Sequence, residues 1–268
     1  MVDTWRLLLQ PGLPGYSQMA IDEALYRCAD PGTPPVLRFY TWQRPTLSLG
    51  YFQDYKTVVW EPFLVHNKID VVRRITGGRA VLHHREVTYA IVAPLTDRFA
   101  NQSLQETYQL IAAALRWALQ QLGLTHSAIV SQHSSSAAQK ESRLPQCFVA
   151  VSKYEISDGL KKVIGSAQKR SRDRFLQHGS ILLDFDTQLQ QGCFHRPDPE
   201  IEAKIAPLNR YLGRELRFGE VVDHFSKAFQ DCFNVRLQDS EPDAMELRWI
   251  QELEGKYQSR DWTEKGCK

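Results

Sequence analysis

The chain has 268 residues, 43% hydrophobic and 24% charged, with a formal net charge of +2. Such a length can bury a substantial core in one large domain or two small ones, and the small net charge lends no support to nucleic-acid binding driven by phosphate neutralisation. No run approaches the ~18 apolar residues of a membrane span, and the start MVDTWRLLLQPG is unlike a secretory signal. The cysteines at 28, 147, 193, 232 and 267 lack the spacing of a disulfide framework or a zinc site, so a cytoplasmic, reduced protein with no metal is expected.

Trp5–Gln10 reads as a first strand, and Tyr16–Cys28 as an amphipathic helix turning Met19, Ala20 and Leu25 inward. Short strands follow over 36–41 and 46–51, then a helical stretch over 54–67 that Pro62 weakens. Strands over 69–74 and 79–93 flank the turn Thr76-Gly77-Gly78. Paired glycines permit positive φ and a close approach of backbone to ligand, with N–H groups free for a carbonyl or phosphate; an ordinary hairpin is the plainer alternative. The clearest helix spans Ser103–Leu122. Ser103 and Glu106 fit a capping box, Leu104, Tyr108, Ile111, Leu115 and Leu122 form a stripe, and Gly123 stops it.

SQHSSSAAQKESRLP at 131–145 is polar and predicts a long surface loop, followed by strands near 147–157, 161–170 and 174–185. Phe194-His-Arg-Pro-Asp-Pro199 breaks the pattern. Beyond it the chain reads as mainly helical: Val222, Phe225, Phe229 and Cys232 recur at helical spacing, and Met245, Leu247, Ile250 and Leu253 do so more loosely. The expected fold is α/β (α+β), a single domain with a mixed, largely antiparallel sheet flanked by helices and a helical C-terminal end.

Among possible nucleophiles, Cys28 and Cys232 fall on apolar helix stripes and read as small buried hydrophobes, and Cys267 adjoins the end of the chain. Cys193, in Gly-Cys-Phe-His, stays a candidate. Cys147 follows the polar loop and opens a strand, a junction that can expose a side chain and still hold it. Lys161 and Lys162 are adjacent on a strand, so one points in and one out, and the same holds for His83 and His84. Gly165, Ser166 and Ala167 would leave room for a narrow apolar tunnel.

Several separated motifs, in order, resemble the lipoate protein ligase A/B family, relatives of the biotin protein ligases. They are Gln18-Met-Ala-Ile-Asp-Glu-Ala-Leu25, Leu37-Arg-Phe-Tyr-Thr-Trp42, Leu47-Ser-Leu-Gly-Tyr-Phe-Gln53, the block RRITGGRAVLH at 73–83, Lys162-Val-Ile-Gly-Ser-Ala-Gln168 and Gln177-His-Gly-Ser180. The resemblance implies a catalytic unit over 1–195 with a helical extension over 196–268 packed on it. Cys147-Phe148 followed by Tyr154-Glu155-Ile156 is similar to the cysteine-dependent octanoyltransferase branch, which makes Cys147 the acyl carrier and Lys162 the lysine that reaches the substrate carbonyl. Substrate contacts are implied for Arg73, Arg74, Thr76, Gly77, Gly78 and His83, and for Gly165, Ser166, Ala167, His178 and Gly179. His84 departs from the family pattern, where that position is usually acidic.

The implied reaction moves octanoyl from acyl carrier protein to a lysine of a lipoyl domain of a 2-oxoacid dehydrogenase or of glycine cleavage H protein. A thioester donor is already activated, so no cofactor is expected, and neither nucleic acid nor membrane is an expected partner. The alternatives are an ATP-dependent lipoate ligase, an amidotransferase between lipoyl-type proteins, and a carrier-protein binder without activity.

Overall fold

The computed structural model describes residues 2–129, 146, 156–158 and 161–266. The expected polar loop at 131–145, the strand start at 147–155, Cys147 and Cys267 lie outside the described residues.

The chain opens with β1 (Asp3–Leu13), α1 (Gly15–Cys28), β2 (Val36–Trp42) and β3 (Thr46–Leu49). Two short helices, α2 (Tyr55–Val58) and α3 (Glu61–His66), occupy the stretch read as one weakened helix. Pro62 sits in the first turn of α3, where its missing N–H would have no intrahelical acceptor, so it starts a helix and does not break one. Next come β4 (Asp70–Arg73), β5 (Val81–His83), β6 (Glu86–Pro94), α4 (Leu104–Gln121) and β7 (Ser127–Ile129). Beyond them lie β8 (Ile156–Asp158), β9 (Lys161–Arg170), β10 (Arg174–Leu182), α5 (Thr187–Gly192), α6 (Leu208–Leu212), α7 (Phe218–Phe233), β11 (Val235–Asp239) and α8 (Ala244–Gln258).

Among the described residues, eight strands form one sheet in the order β11-β1-β2-β6-β10-β9-β8-β7. The pairs β1–β11 and β1–β2 are parallel and the others antiparallel, the mixed, largely antiparallel sheet expected. β6 (EVTYAIVAP) is buried along its whole length near the middle of the sheet, where β-branched and aromatic residues pack on both faces. On one face α4 and α7 bury Ile111, Leu115, Phe225 and Phe229 against Phe39 and Tyr89. On the other, α1 and α8 bury Met19, Ala24, Leu25 and Leu253 against Leu8, Tyr40 and Val92.

The capping box of α4 is formed: Glu106 N–H donates to Ser103 Oγ (3.2 Å) and Ser103 N–H to Glu106 Oε2 (2.7 Å). Gly123, with φ +108°, follows the helix end. Leu104 is the exception on the stripe, 45% exposed at the first helical position. Cys232 is exposed and Cys28 half-buried, so neither is the fully buried hydrophobe expected, and Met245 and Leu247 face solvent. Glu246, Leu253 and Tyr257 take the inward face of α8, because Arg6 pairs with Glu246 and Glu23 accepts from Tyr257. The C-terminal part also supplies a strand: β11 extends the main sheet beside β1.

A second sheet, in the order β4-β3-β5, carries the glycine turn. β4 and β5 flank β3 and do not pair with each other, so the turn is no hairpin. The strand expected over 79–93 is in fact two. Arg85 adopts φ +53°, and its carbonyl accepts the N–H groups of Leu183 and Asp184 (both 3.1 Å). The chain thereby leaves the small sheet after His83 and enters the large one at Glu86.

Candidate active site

A cavity of about 170 Å³ lies between the two sheets. β2 gives it Tyr40 and Trp42, the small sheet Ser48, Val81 and His83, and α1 gives Met19. β6 contributes Thr88, and the glycine turn contributes Gly78 with Arg74 and Arg79 beside it. The remaining wall is Gly165-Ser166-Ala167 on β9 and His178-Gly179-Ser180 on β10. The small residues Gly165, Ser166 and Ala167 of β9 all line this cavity. Gly179 is required by its neighbours: a Cβ there would lie 2.5 Å from the Gly165 carbonyl oxygen and 2.6 Å from the Tyr89 ring.

Of the paired glycines, only Gly78 has positive φ (+89°), and a Cβ on Gly77 would meet nothing within 4 Å. The close approach comes from elsewhere. A Cβ on Gly50, just after β3, would sit 2.0 Å from the Gly78 carbonyl oxygen.

The paired arginines divide. Arg73 turns away from the cavity and donates to the carbonyls of Gly50, Tyr51 and Gln53 and of Trp262 and Thr263, so it holds the C-terminal segment to the small sheet. The expected substrate contact at Arg73 is therefore replaced by a structural one. Arg74 does border the cavity, yet all its N–H groups have protein acceptors: Thr76 Oγ1 (3.0 Å), Ser48 O and Oγ (3.0 and 3.1 Å), and the carbonyls of Gly77 and Arg79 (2.8 and 2.7 Å). Thr76 and Gly77 stand one layer behind the lining, as these partners of Arg74.

Two buried carboxylates back the cavity. Asp22 on α1 accepts from Arg38 (2.6 Å) and from Tyr40 Oη (3.0 Å), and pairs with His178 Nδ1 (2.8 Å). Burial pushes its carboxyl up, but Arg38 and His178 outweigh that and hold it below the ordinary value. Glu86 pairs with His83 Nδ1 (2.7 Å) and accepts the hydroxyls of Thr88 (2.7 Å) and Ser180. It too is held low against burial, by His83 and then the hydroxyls. Trp42 stacks on His83 with ring centres 4.1 Å apart and donates to Thr88 Oγ1 (2.8 Å). Burial depresses the His178 pKa more than Asp22 raises it, so His178 is neutral near pH 7. His84, just beyond the end of β5, is half-buried outside this cavity.

Strand alternation sorts the lysines. Lys161 is exposed and Lys162 fully buried, with the Lys162 carbonyl accepting Ala206 N–H (2.9 Å). Gln146, the residue before Cys147, is also buried and bridges Ala80 beside the glycine turn. Cys193 is packed under the small sheet, donates to the Leu189 carbonyl (3.1 Å), and is pushed by burial to a pKa of about 12, the setting of an inert thiol.

Reasoning from sequence assigned no role to Asp22, Glu86, Tyr40, Trp42, Ser48, Thr88 or Ser180. One signal was available: Asp22-Glu23 interrupts the apolar face of α1, and two adjacent carboxylates that a helix must bury imply buried partners.

Residues 14–230 match the family model of the lipoyl protein ligase A/B catalytic domain. A protein named octanoyltransferase LipM from Geobacillus kaustophilus is 32% identical, covering 97% of this chain and 98% of its own. Its namesake from Carboxydothermus hydrogenoformans is 35% identical, with 97% and 98% covered. Among solved structures, the bi-partite lipoate protein ligase of Thermoplasma acidophilum has a TM-score of 0.82 at 21% identity, covering 100% of this chain and 98% of that one. A lipoate-protein ligase A bound with ATP has a TM-score of 0.81 at 24% identity, with 98% of each chain covered. The structural likenesses carry the fold, and the sequence matches carry membership: the chain belongs to the lipoyl protein ligase A/B family.

Proposed function

We propose that this protein moves an octanoyl group from a carrier-protein thioester, through Cys147, to a lysine of a lipoyl-type acceptor protein. The protein is an octanoyltransferase, an acyl-transferring enzyme; the observation that carries this is likeness at 32–35% identity, over nearly the whole chain, to proteins of that name. Donor, acceptor and the covalent step are the finer parts of the reading.

In that reading the Cys147 thiolate attacks the octanoyl carbonyl, the C–S bond to the carrier breaks, and the carrier thiolate leaves and takes up a proton. The acceptor lysine amine then attacks the new thioester; an amide forms, the amine loses a proton, and Cys147 is released. The Lys162 ammonium hydrogen-bonds the carbonyl oxygen as negative charge develops on it and favours the thiolate. Support comes from the full burial of Lys162, from the bridge between Gln146 and Ala80, and from a cavity walled by Gly165, Ser166, Ala167 and Gly179. The family's other chemistry needs ATP to form an acyl-adenylate, whereas a thioester donor needs none.

Intact mass after incubation with octanoyl-carrier protein, without ATP, tests this. One added octanoyl group, absent in Cys147→Ala and retained in Cys193→Ala, is the expected result. An adduct that persists in Cys147→Ala refutes the cysteine assignment, and acylation only with octanoate and ATP would make the protein a ligase.

A further inference from the structure

Two chains of side chains run from a buried carboxylate to the same guanidinium. In the first, His178 Nδ1 lies 2.8 Å from Asp22 Oδ2 and its Nε2 2.8 Å from Thr76 Oγ1, which accepts from Arg74 Nε (3.0 Å). In the second, His83 Nδ1 lies 2.7 Å from Glu86 Oε1 and its Nε2 2.7 Å from Ser48 Oγ, which accepts from Arg74 Nη1 (3.1 Å). The proton order along the first chain follows from its members. Asp22 is ionised and can only accept, so His178 carries its proton on Nδ1. A neutral imidazole protonated there accepts at Nε2, so Thr76 must donate to it. That leaves the Thr76 lone pairs facing Arg74, which can only donate.

Arg74 in turn fixes the wall. Its Nη2 holds the carbonyls of Gly77 and Arg79. Because a peptide unit is planar and trans, a Gly77 carbonyl turned to Arg74 sends the Gly78 N–H the opposite way. Thus Asp22, which does not border the cavity, is connected through the three side chains of His178, Thr76 and Arg74 to the orientation of the backbone at Gly78, which does.

We propose that Asp22 is a positioning residue for acyl transfer, setting the His178 tautomer so that Thr76 can accept from Arg74 and Arg74 can hold the glycine turn. The inference rests on the acyl-transfer reading for its rate readout and on nothing beyond the geometry for its spectroscopic one.

Asp22 is a sharper test of the device than Glu86. A glutamine at 86 could turn its amide to Ser180, whose hydroxyl rotates, and keep its oxygen for His83 and Thr88. Asparagine at 22 has no such outlet, because Arg38 donates to Oδ1 and leaves the amide nitrogen only the Oδ2 place. The new N–H groups then face His178 Nδ1, the imidazole proton moves to Nε2, and the buried Thr76 hydroxyl loses the acceptor for its own proton, which weakens its hold on Arg74.

The experiment compares wild type, Asp22→Asn, Thr76→Val and Thr76→Ser. Nitrogen-15 NMR of the histidine rings reads the tautomer, exchange of the Arg74 Nε–H with solvent reads its bond to Thr76, and single-turnover octanoyl transfer reads the rate. In Asp22→Asn, His178 should change from the Nδ1–H to the Nε2–H form, and Arg74 Nε–H exchange should quicken. The rate should fall by roughly 10²–10⁴, the upper value being the known cost of amidating a histidine-orienting carboxylate. Thr76→Val should show the same fast exchange and a comparable loss, and Thr76→Ser should restore most of both. The double variant Asp22→Asn, Thr76→Val should be little worse than either single one, as for members of one chain.

Slow Arg74 exchange in folded Asp22→Asn, or a rate within a few-fold of wild type, overturns the proposal. Should Asp22→Asn fail to fold, equal behaviour of Thr76→Val and Thr76→Ser does the same. A wild-type protein that accepts no octanoyl group would refute the function reading instead, while the tautomer and exchange measurements would still decide the role of Asp22 in holding the turn.

Discussion

Gly50→Ala is the most demanding perturbation of the site, because Gly50 does not border the cavity and the substitution adds one methyl. An added Cβ would lie 2.0 Å from the Gly78 carbonyl oxygen and 2.8 Å from its carbonyl carbon. Real contacts of this kind begin near 3.0 Å, so one backbone must retreat by about 1 Å. No flexible side chain can absorb the shift, since the opposing atoms are backbone and Arg74 ties the carbonyls on either side of Gly78. Overpacking of this kind costs roughly 1–3 kcal/mol. At roughly 2–4 °C per kcal/mol for a large domain, the melting temperature should drop by several degrees. A misplacement of about 1 Å at a positioned group can cost on the order of 10²-fold in rate. Single-turnover acylation should therefore fall by about two orders of magnitude at temperatures where the variant is fully folded. Gly77→Ala is the control: its Cβ meets nothing within 4 Å and its φ is not positive, so stability should hardly change. A Gly50→Ala protein that melts and turns over like the parent would refute the close-approach argument.

Three further outcomes follow from the geometry. Lys162→Ala should slow acylation by roughly 10²–10³, the cost of losing an oxyanion donor, while Lys161→Ala on the exposed face stays within a few-fold; equal rates would remove Lys162 from the chemistry. Arg73→Met should lower stability by more than a typical surface change, because it strips a buried cation from six carbonyls, and acylation per folded molecule should be largely kept; a selective loss of activity would return Arg73 to the substrate site. Stability should fall with pH in two phases. Below pH 6.5 the unfolded chain takes up a proton that folded His178, with its depressed pKa, refuses; Asp22 and Glu86, also depressed, withdraw their contributions below about their ordinary values of 3.8 and 4.5. Melting curves from pH 8 to 3 check this, and His178→Asn should shrink the first phase to the share left by half-buried His84, whose pKa burial also depresses.

Much of this arrangement was legible in the chain itself, for reasons of short range. The period of apolar residues marks α1, α4 and most strands, Ser103 and Glu106 place a helix start, and alternation alone separates Lys161 from Lys162. The motif blocks fixed the family, and half of the residues that line the cavity were named from them, because small residues at 165–167 and 179 are needed wherever strands must leave room for a ligand. What failed were features decided by distant contacts. Nothing local says that the strand over 79–93 breaks at Arg85; the break is held by Leu183 and Asp184 almost a hundred residues on. Two adjacent arginines have the same local chemistry, yet Arg73 faces carbonyls of the C-terminal segment and Arg74 the glycine turn. Asp22, Glu86 and Gly50 acquire their roles only when α1, β6 and β3 are brought around one cavity. Periodicity reports which face of an element is buried, and only the assembled fold decides what each buried polar group meets there.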